Sequence, residues 1–460
     1  MLSNLAVRDV ETLIHPYTNL ASFRETGPLI LERGEGAWVF DAEGKPYLEG
    51  MAGLWCTALG YSNAELIDAA MEQFKKLPFT HLFSGRSHDP AIELAEKLKE
   101  IAPVPMSKVF FTASGSEAND TQVKLVWYMN NALGRPRKKK IVARLKAYHG
   151  VTVAAASLTG LPANHTDFDL PIANVLHTSC PHHYRFAEPG ESEEDFSTRL
   201  ADELDELIQR EGPDTVAAFI AEPVMGAGGA LIPPAGYFPK VQAVCERHDV
   251  LFIADEVITG FGRLGAMWGS EKLDIRPDTI SFAKAVTSAY LPLGGVMVNE
   301  AMYQALLDES RKIGLFGHGY TYSGHPVSCA VALKAIEIYQ RDRIVEQVKA
   351  KAPLFEGRLA KLADHPLVGE ARGLGLIGGL EIVADKASKR QFEVKRGVAV
   401  KCVGFAQAEG LIVRSLSGDR IAVCPPLIVS EEEIGVLFDR LGRALDRTHD
   451  WVRQEGLMAA

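Results

Sequence analysis

Short apolar, β-branched runs alternate with helical spacings from about Val109 to Val298. Strands joined in this way by helices form a mainly parallel sheet, so the stretch predicts a large α/β domain. From about Pro326 the pattern turns mostly helical, with short β-like sections at Leu374 to Ile382 and Leu411 to Val423, predicting a smaller α+β domain. Two serine-to-glutamate capping boxes open amphipathic helices. One is Ser62 to Glu65, leading through Leu66, Ala70, Phe74 and Leu77; the other is Ser430 to Glu433, leading through Leu437 and Leu441. Ahead of both, Ala37 to Leu48 carries a hairpin signal with its turn at Glu43-Gly44.

Three of the apolar runs end on chemistry. Thr215 to Ile220 leads to Glu222, Val250 to Ala254 to Asp255, and Thr279 to Ala283 to Lys284. A strand, a crossover helix and the next parallel strand need roughly 30 residues, and two such steps occur here in succession. Ligands of open parallel sheets bind outside the carboxyl ends of the strands, so Glu222, Asp255 and Lys284 are expected in one crevice. Any one of them alone reads as a solvated loop charge; the set reads as a site. A strand-end lysine paired with a carboxylate fits pyridoxal phosphate, with the lysine forming a Schiff base and the acid partnering the pyridinium nitrogen.

Composition narrows the alternatives. The chain of 460 residues is 47% hydrophobic and 23% charged, ordinary for a folded protein and long enough for two domains. A net charge of −10 disfavours nucleic acid or an anionic membrane as partner. The one basic run, Arg135 to Lys140, reads as a solvated turn. No apolar stretch is long enough to span a bilayer, and Met1 to Asn4 lacks the build of a signal peptide, so a cytoplasmic location is the default expectation. Six cysteines without close pairs read as buried apolar residues. His177, Cys180, His182 and His183 are metal-capable but lack a second knuckle, and Pro181 interrupts them, so a polar loop is the expected reading and no metal site is expected.

Thr112 to Asn119 places Ser114, Gly115 and Ser116 at the start of a helix, where free amides suit a phosphate, although the same pattern serves as a plain cap. Walker and dinucleotide fingerprints are missing. Tyr148-His149-Gly150 closes another β-like run and offers an aromatic that could stack on a planar cofactor or sit in a core. Gly317 to Pro326 is a glycine-punctuated loop whose Thr321 could reach a phosphate or flank a hinge.

Phe252 to Val257, then Gly260-Phe261-Gly262-Arg263, Phe282-Ala283-Lys284 and Leu293-Gly294-Gly295 resemble the signature of class III pyridoxal-phosphate aminotransferases, over roughly Gly34 to the last helix. The resemblance implies the type I aminotransferase fold, with a mainly parallel seven-stranded sheet in residues 59–325 and a small domain built from 1–58 and 326–460. It also implies a homodimer with shared active sites. It makes Lys284 the Schiff-base lysine, Asp255 the pyridinium partner, and Val257 and Tyr148 the two faces of the ring site. Ser114, Gly115 and Ser116 would hold the phosphate together with Thr321 of the partner subunit, and His149 and Glu222 would lie beside the cofactor. Leu54-Trp55-Cys56 and Arg414 look most like the amine:pyruvate, or ω-, transaminases. Leu54, Trp55, Phe83, Tyr148 and Ala227 would shape the substrate pocket, and Arg414, rather than Arg420, would clamp a keto-acid carboxylate. The implied reaction moves an amino group from a primary amine, with (S) preference, to pyruvate or another α-keto acid, through pyridoxamine phosphate. The alternatives are an ω-amino-acid or diamine transaminase, a same-fold aminomutase or decarboxylase, and a non-catalytic cofactor-binding regulator.

Overall fold

The computed structural model describes residues 3–458. Its centre is a seven-stranded sheet of β1 (Lys108–Thr112), β2 (Lys140–Arg144), β3 (Val175–Thr178), β4 (Val216–Ala221), β5 (Leu251–Asp255), β6 (Thr279–Phe282) and β7 (Gly294–Val298). The spatial order is β1-β7-β6-β5-β4-β2-β3. Only β7 runs antiparallel to its neighbours; the rest are parallel. This is the expected mainly parallel sheet.

The strands read as unbroken apolar runs because both faces are covered. Alternate residues go to opposite sides. Phe219 and Phe252 pack beneath α2 (Glu193–Glu211) and α3 (Tyr237–Arg247), against Phe196, Leu200 and Val241. Their neighbours Ile220 and Ile253 face Val123, Val126 and Met129 of α1 (Gly115–Ala132). Each such fully buried side chain stabilises the fold by about 1.5–3 kcal/mol. The helical crossovers keep β4, β5 and β6 parallel and adjacent, which delivers their carboxyl ends to one edge.

The two ends of the chain meet. The hairpin expected at Ala37 to Leu48 forms from Trp38–Asp41 and Pro46–Glu49, and Leu411–Ile412 joins the latter strand in parallel. Trp38 Nε1 donates to Glu433 Oε1 at 2.7 Å, tying the hairpin to the last helix, Glu431–Gln454. That helix opens with the predicted capping box: Ser430 Oγ accepts from Glu433 N at 3.1 Å, and Glu433 accepts from Ser430 N at 2.8 Å. A second sheet in the C-terminal part contains Val368–Leu374, Ile377–Ile382, Arg420–Val423 and Arg414–Leu416.

Two local expectations fail for physical reasons. Asn63, not Ser62, caps the helix Ala64–Lys76, its Oδ1 accepting from Leu66 N at 3.3 Å. Ser62 sits at φ 58° and spends its hydroxyl on Gly34 O at 2.6 Å, while Glu65 pairs with Arg341. The basic run is not a solvated turn. Lys138 is buried and donates to His248 O at 3.1 Å, Lys140 reaches Glu211 at 2.8 Å, and Arg135 and Arg137 pair with Asp249 and Asp214. Carbonyls at the ends of α2 and α3 need donors, and this run supplies them. All six cysteines are free, five of them buried. No described helix is long and apolar enough to cross a membrane.

Candidate active site

Glu222, Asp255 and Lys284 line one cavity of about 340 Å³ at the carboxyl edge of the sheet. Asp255 ends β5 and is 4% exposed. Its Oδ2 accepts from Asn119 Nδ2 at 2.8 Å and lies 2.8 Å from His149 Nδ1; Val257 N donates to Oδ1 at 3.1 Å. Asn119 also donates to His149 O at 2.7 Å, so the three residues lock one another. With its Nδ1 turned to Asp255, His149 presents Nε2 away from it, and that buried atom has no partner among the described residues. Glu222 accepts from Tyr148 N and Gly226 N, both at 3.0 Å. Burial pushes its carboxyl up, with His149 drawing it partly back.

Lys284 lies one residue beyond the end of β6, after Ala283, in the turn Lys284–Thr287, at φ 51°. A non-glycine residue held there costs about 1–3 kcal/mol, a strain that concentrates at functional positions. Burial pushes its ammonium down; Cys56, Asp255 and Glu222 act in the opposite sense. The amine is thus nearer to its neutral, nucleophilic form than a surface lysine.

Opposite these groups stands the start of α1. Ser114 caps it, Oγ accepting from Glu117 N at 3.2 Å, which leaves the amides of Gly115 and Ser116 without intrahelical acceptors. Two glycines make close approaches here. A Cβ on Gly115 would lie 3.0 Å from the Val257 methyls, and one on Gly150, at φ 138°, would lie 2.6 Å from Ser116 Oγ. Tyr148, Val257 and Thr287 also line the cavity.

The substrate-side residues are less uniform. Trp55 is buried, with its indole 5.5 Å from Lys284 Nζ and 5.2 Å from the Arg414 guanidinium carbon. Burial pushes Arg414 down, and the groups facing it are Tyr148 and Tyr17, not acids. Arg420 is fully engaged, at 2.7 and 3.0 Å from the two oxygens of Glu381. Leu54 is exposed on the turn beside Trp55. Ala227 is half-buried next to Gly226 and does not line the cavity. Phe83 is exposed, over a separate cavity of about 600 Å³ beside Gly319. Thr321 is exposed and also lies off the Lys284 cavity.

Asn119 and Tyr17 were not singled out from the sequence. Asn119 stands three residues after Ser116 on α1, hence on the same helix face, a spacing that could have found it. Tyr17, whose ring centre lies 6.5 Å from that of Tyr148, comes from the N-terminal segment with no local signal. The metal-capable cluster disperses: His177 bonds Leu158 O, His183 bonds Glu191 O, and Cys180 is buried among apolar neighbours. His182 does meet Glu370 and Glu381, but those carboxylates are held by Arg372, Arg185 and Arg420.

These groups fit pyridoxal phosphate. The buried acid, the lysine displaced toward its neutral form, the amides at a helix start and the glycines that clear space beside them match a ring nitrogen, an aldehyde and a phosphate.

The aminotransferase class-III family model matches residues 21–445. Gamma-aminobutyrate transaminase 1, mitochondrial, of Oryza sativa subsp. japonica is 52% identical over 443 residues, covering 96% of this chain and 86% of that protein. Gamma aminobutyrate transaminase 3, chloroplastic, of Solanum lycopersicum is 51% identical over the same length, covering 96% and 85%. The omega transaminase from Pseudomonas jessenii in complex with PMP is 54% identical, with a TM-score of 0.96 over 98% of this chain and 99% of the other. With a family match over nearly its whole length and relatives above half identity, this chain belongs to the class III aminotransferases and is a pyridoxal-phosphate-dependent transaminase.

Proposed function

We propose that this transaminase takes the amino group of a primary amine lacking an α-carboxylate and passes it to pyruvate or another α-keto acid. The observation that carries the reading is Arg414: a partly buried guanidinium with no acid facing it, set over the same indole that faces Lys284. An uncompensated cation beside a reacting amine suits a carboxylate that arrives with one substrate and leaves with the product. A donor without a carboxylate needs only the apolar side of that pocket.

When bound, pyridoxal phosphate supplies an aldehyde that takes up the donor nitrogen and a ring that accepts the electron pair released at the donor carbon. The amides of Gly115 and Ser116 would hold its phosphate. Asp255 would face its ring nitrogen, and Asn119, His149 and the Val257 amide keep that carboxylate from turning. Lys284 Nζ, in its neutral form, would take the proton from the donor carbon and deliver it to the carbon that carried the cofactor's aldehyde. Trp55 excludes water from that side. A homodimer is part of the proposal, with the partner subunit's Thr321 completing the phosphate site.

The γ-aminobutyrate transaminases among the relatives support a second reading, in which the donor is an ω-amino acid whose distant carboxylate reaches Arg414. The two readings part on steady-state kinetics with pyruvate as acceptor. A higher kcat/KM for (S)-1-phenylethylamine than for 4-aminobutyrate supports the first; the reverse order overturns it in favour of the second.

A further inference from the structure

We propose that Glu49, outside the cofactor site, is the residue that positions Trp55: its carboxylate holds the strained turn carrying the indole between Lys284 and Arg414, and so sets which amines the pocket admits. This rests on the reading of the pocket as one for carboxylate-free amines.

The turn is an unusual stretch of backbone. Ala52 stands at φ 45°, Gly53 at 65° and Trp55 at 59°. The two non-glycine residues cost about 1–3 kcal/mol each, and such a conformation persists only where surrounding contacts over-determine it. The turn's own hydrogen bonds, Trp55 N to Met51 O at 2.9 Å and Cys56 N to Ala52 O at 2.8 Å, close it on itself without tying it to the body of the protein. Gly50, just before it, is anchored on both sides, its N donating to Ile412 O at 2.8 Å and its O accepting from Cys424 N at 2.7 Å.

Glu49 bridges the anchored strand and the strained turn. It is 3% exposed, and its Oε1 accepts from Met51 N at 2.9 Å. Oε2 lies 3.5 Å from the Tyr61 hydroxyl, which braces the turn from the far side, 3.6 Å from where a Cβ on Gly53 would stand. The indole cannot fix itself: Trp55 Nε1 is buried with no hydrogen-bond partner among the described residues. Its place is therefore set by the backbone beneath it and by the apolar neighbours it shares with Met51, Ile258 and Cys424. A buried carboxylate whose partners are the turn amides of Met51 and Gly53 and the Tyr61 hydroxyl, not the reacting groups, has a positioning task.

The test compares Glu49→Leu, which fills the space without an acceptor, with Glu49→Gln, which keeps an acceptor oxygen for the Met51 amide. In the holoenzyme, Glu49→Leu is expected to change the ratio of kcat/KM for (S)-1-phenylethylamine to that for isopropylamine by about tenfold, mainly through KM, and Glu49→Gln to restore most of it. Without any turnover, Trp55 fluorescence, taken as the difference between chains with and without Trp55→Phe, is expected to become accessible to acrylamide in Glu49→Leu and to stay shielded in Glu49→Gln. Leu66→Ala, a core change elsewhere, is expected to lower the melting temperature and move neither readout. If neither amine is a substrate, the functional reading fails while the quenching result still judges Glu49.

Should Glu49→Leu fail to fold, Ala52→Gly in the same chain relieves the strain at position 52 and is expected to recover the fold with Trp55 shielded. Equal behaviour of the Leu and Gln variants, or a double variant that still does not fold, overturns the proposal, because Glu49 would then serve the core and not the turn.

Discussion

Replacing Arg414 by Leu separates the two halves of the reaction. No acid faces the guanidinium; its neighbours are Tyr148, Tyr17 and the Trp55 ring at 5.2 Å. A carboxylate docking there gains charge-assisted hydrogen bonds worth about 1.5–3 kcal/mol, so their loss should lower kcat/KM for the keto acid by about 10- to 150-fold. The donor half-reaction with a carboxylate-free amine uses no such bond and is expected to change by less than about threefold, the range of a surface substitution. Arg414→Lys keeps a charge without the planar fork and should fall between the two. The assay is single-turnover absorbance of the bound cofactor. Enzyme in the aldehyde form is mixed with (S)-1-phenylethylamine, and enzyme in the amine form is mixed with pyruvate. Equal losses in both directions would refute the reasoning, since Arg414 would then be holding the site together; no loss in either would move the carboxylate clamp to another residue.

Asp255→Asn should cut kcat by about a hundredfold or more and shift the bound cofactor's absorption band, because the carboxylate proposed to face the ring nitrogen becomes a neutral amide; activity and spectrum on one sample check this. Gly150→Ala places a Cβ 2.6 Å from Ser116 Oγ at a backbone angle of φ 138°. It should weaken pyridoxal phosphate binding by at least tenfold, roughly 1.4 kcal/mol, in a titration of the cofactor-free protein. Glu49 has a carboxyl pushed up to about 7, first by burial, with the Met51 amide pulling it back; Tyr61, Cys56, Lys284 and Arg263 are the other ionisable groups around this turn. Its raised value means stability present at low pH and lost as pH rises through 7. Relative to Glu49→Gln, the natural chain should therefore lose up to about 3 kcal/mol of unfolding free energy between pH 4.5 and 7. Denaturant unfolding across that range measures it, and parallel curves for the two chains would contradict it.

The central sheet was legible because its strands are buried on both faces and so stand out as apolar runs at crossover spacing. Glu222, Asp255 and Lys284 were legible for the same reason: each closes such a run, and parallel topology does the gathering. The start of α1 carried its own chemistry in Ser114-Gly115-Ser116. Tyr17, Arg414 and Trp55 belong to a different class. They converge from the N-terminal segment, a short C-terminal strand and a strained turn, so their proximity is a tertiary fact, and only family resemblance pointed to Arg414 over Arg420. The structure adds the physical contrast, one guanidinium with no acid facing it and one consumed by Glu381. Ser62 and the Arg135 to Lys140 run misled for a related reason. A hydroxyl or an ammonium goes to the nearest unsatisfied carbonyl, and Gly34 O and His248 O lie far away in sequence.

Absorbance of the pyridoxal-phosphate-loaded protein tests the central claim most directly. The cofactor's long-wavelength band should fade on adding (S)-1-phenylethylamine and return on adding pyruvate, and Lys284→Ala should show no such cycle. A band that fades only with an amino acid such as 4-aminobutyrate or ornithine would contradict the proposed donor class, and a full cycle in Lys284→Ala would contradict the role given to Lys284.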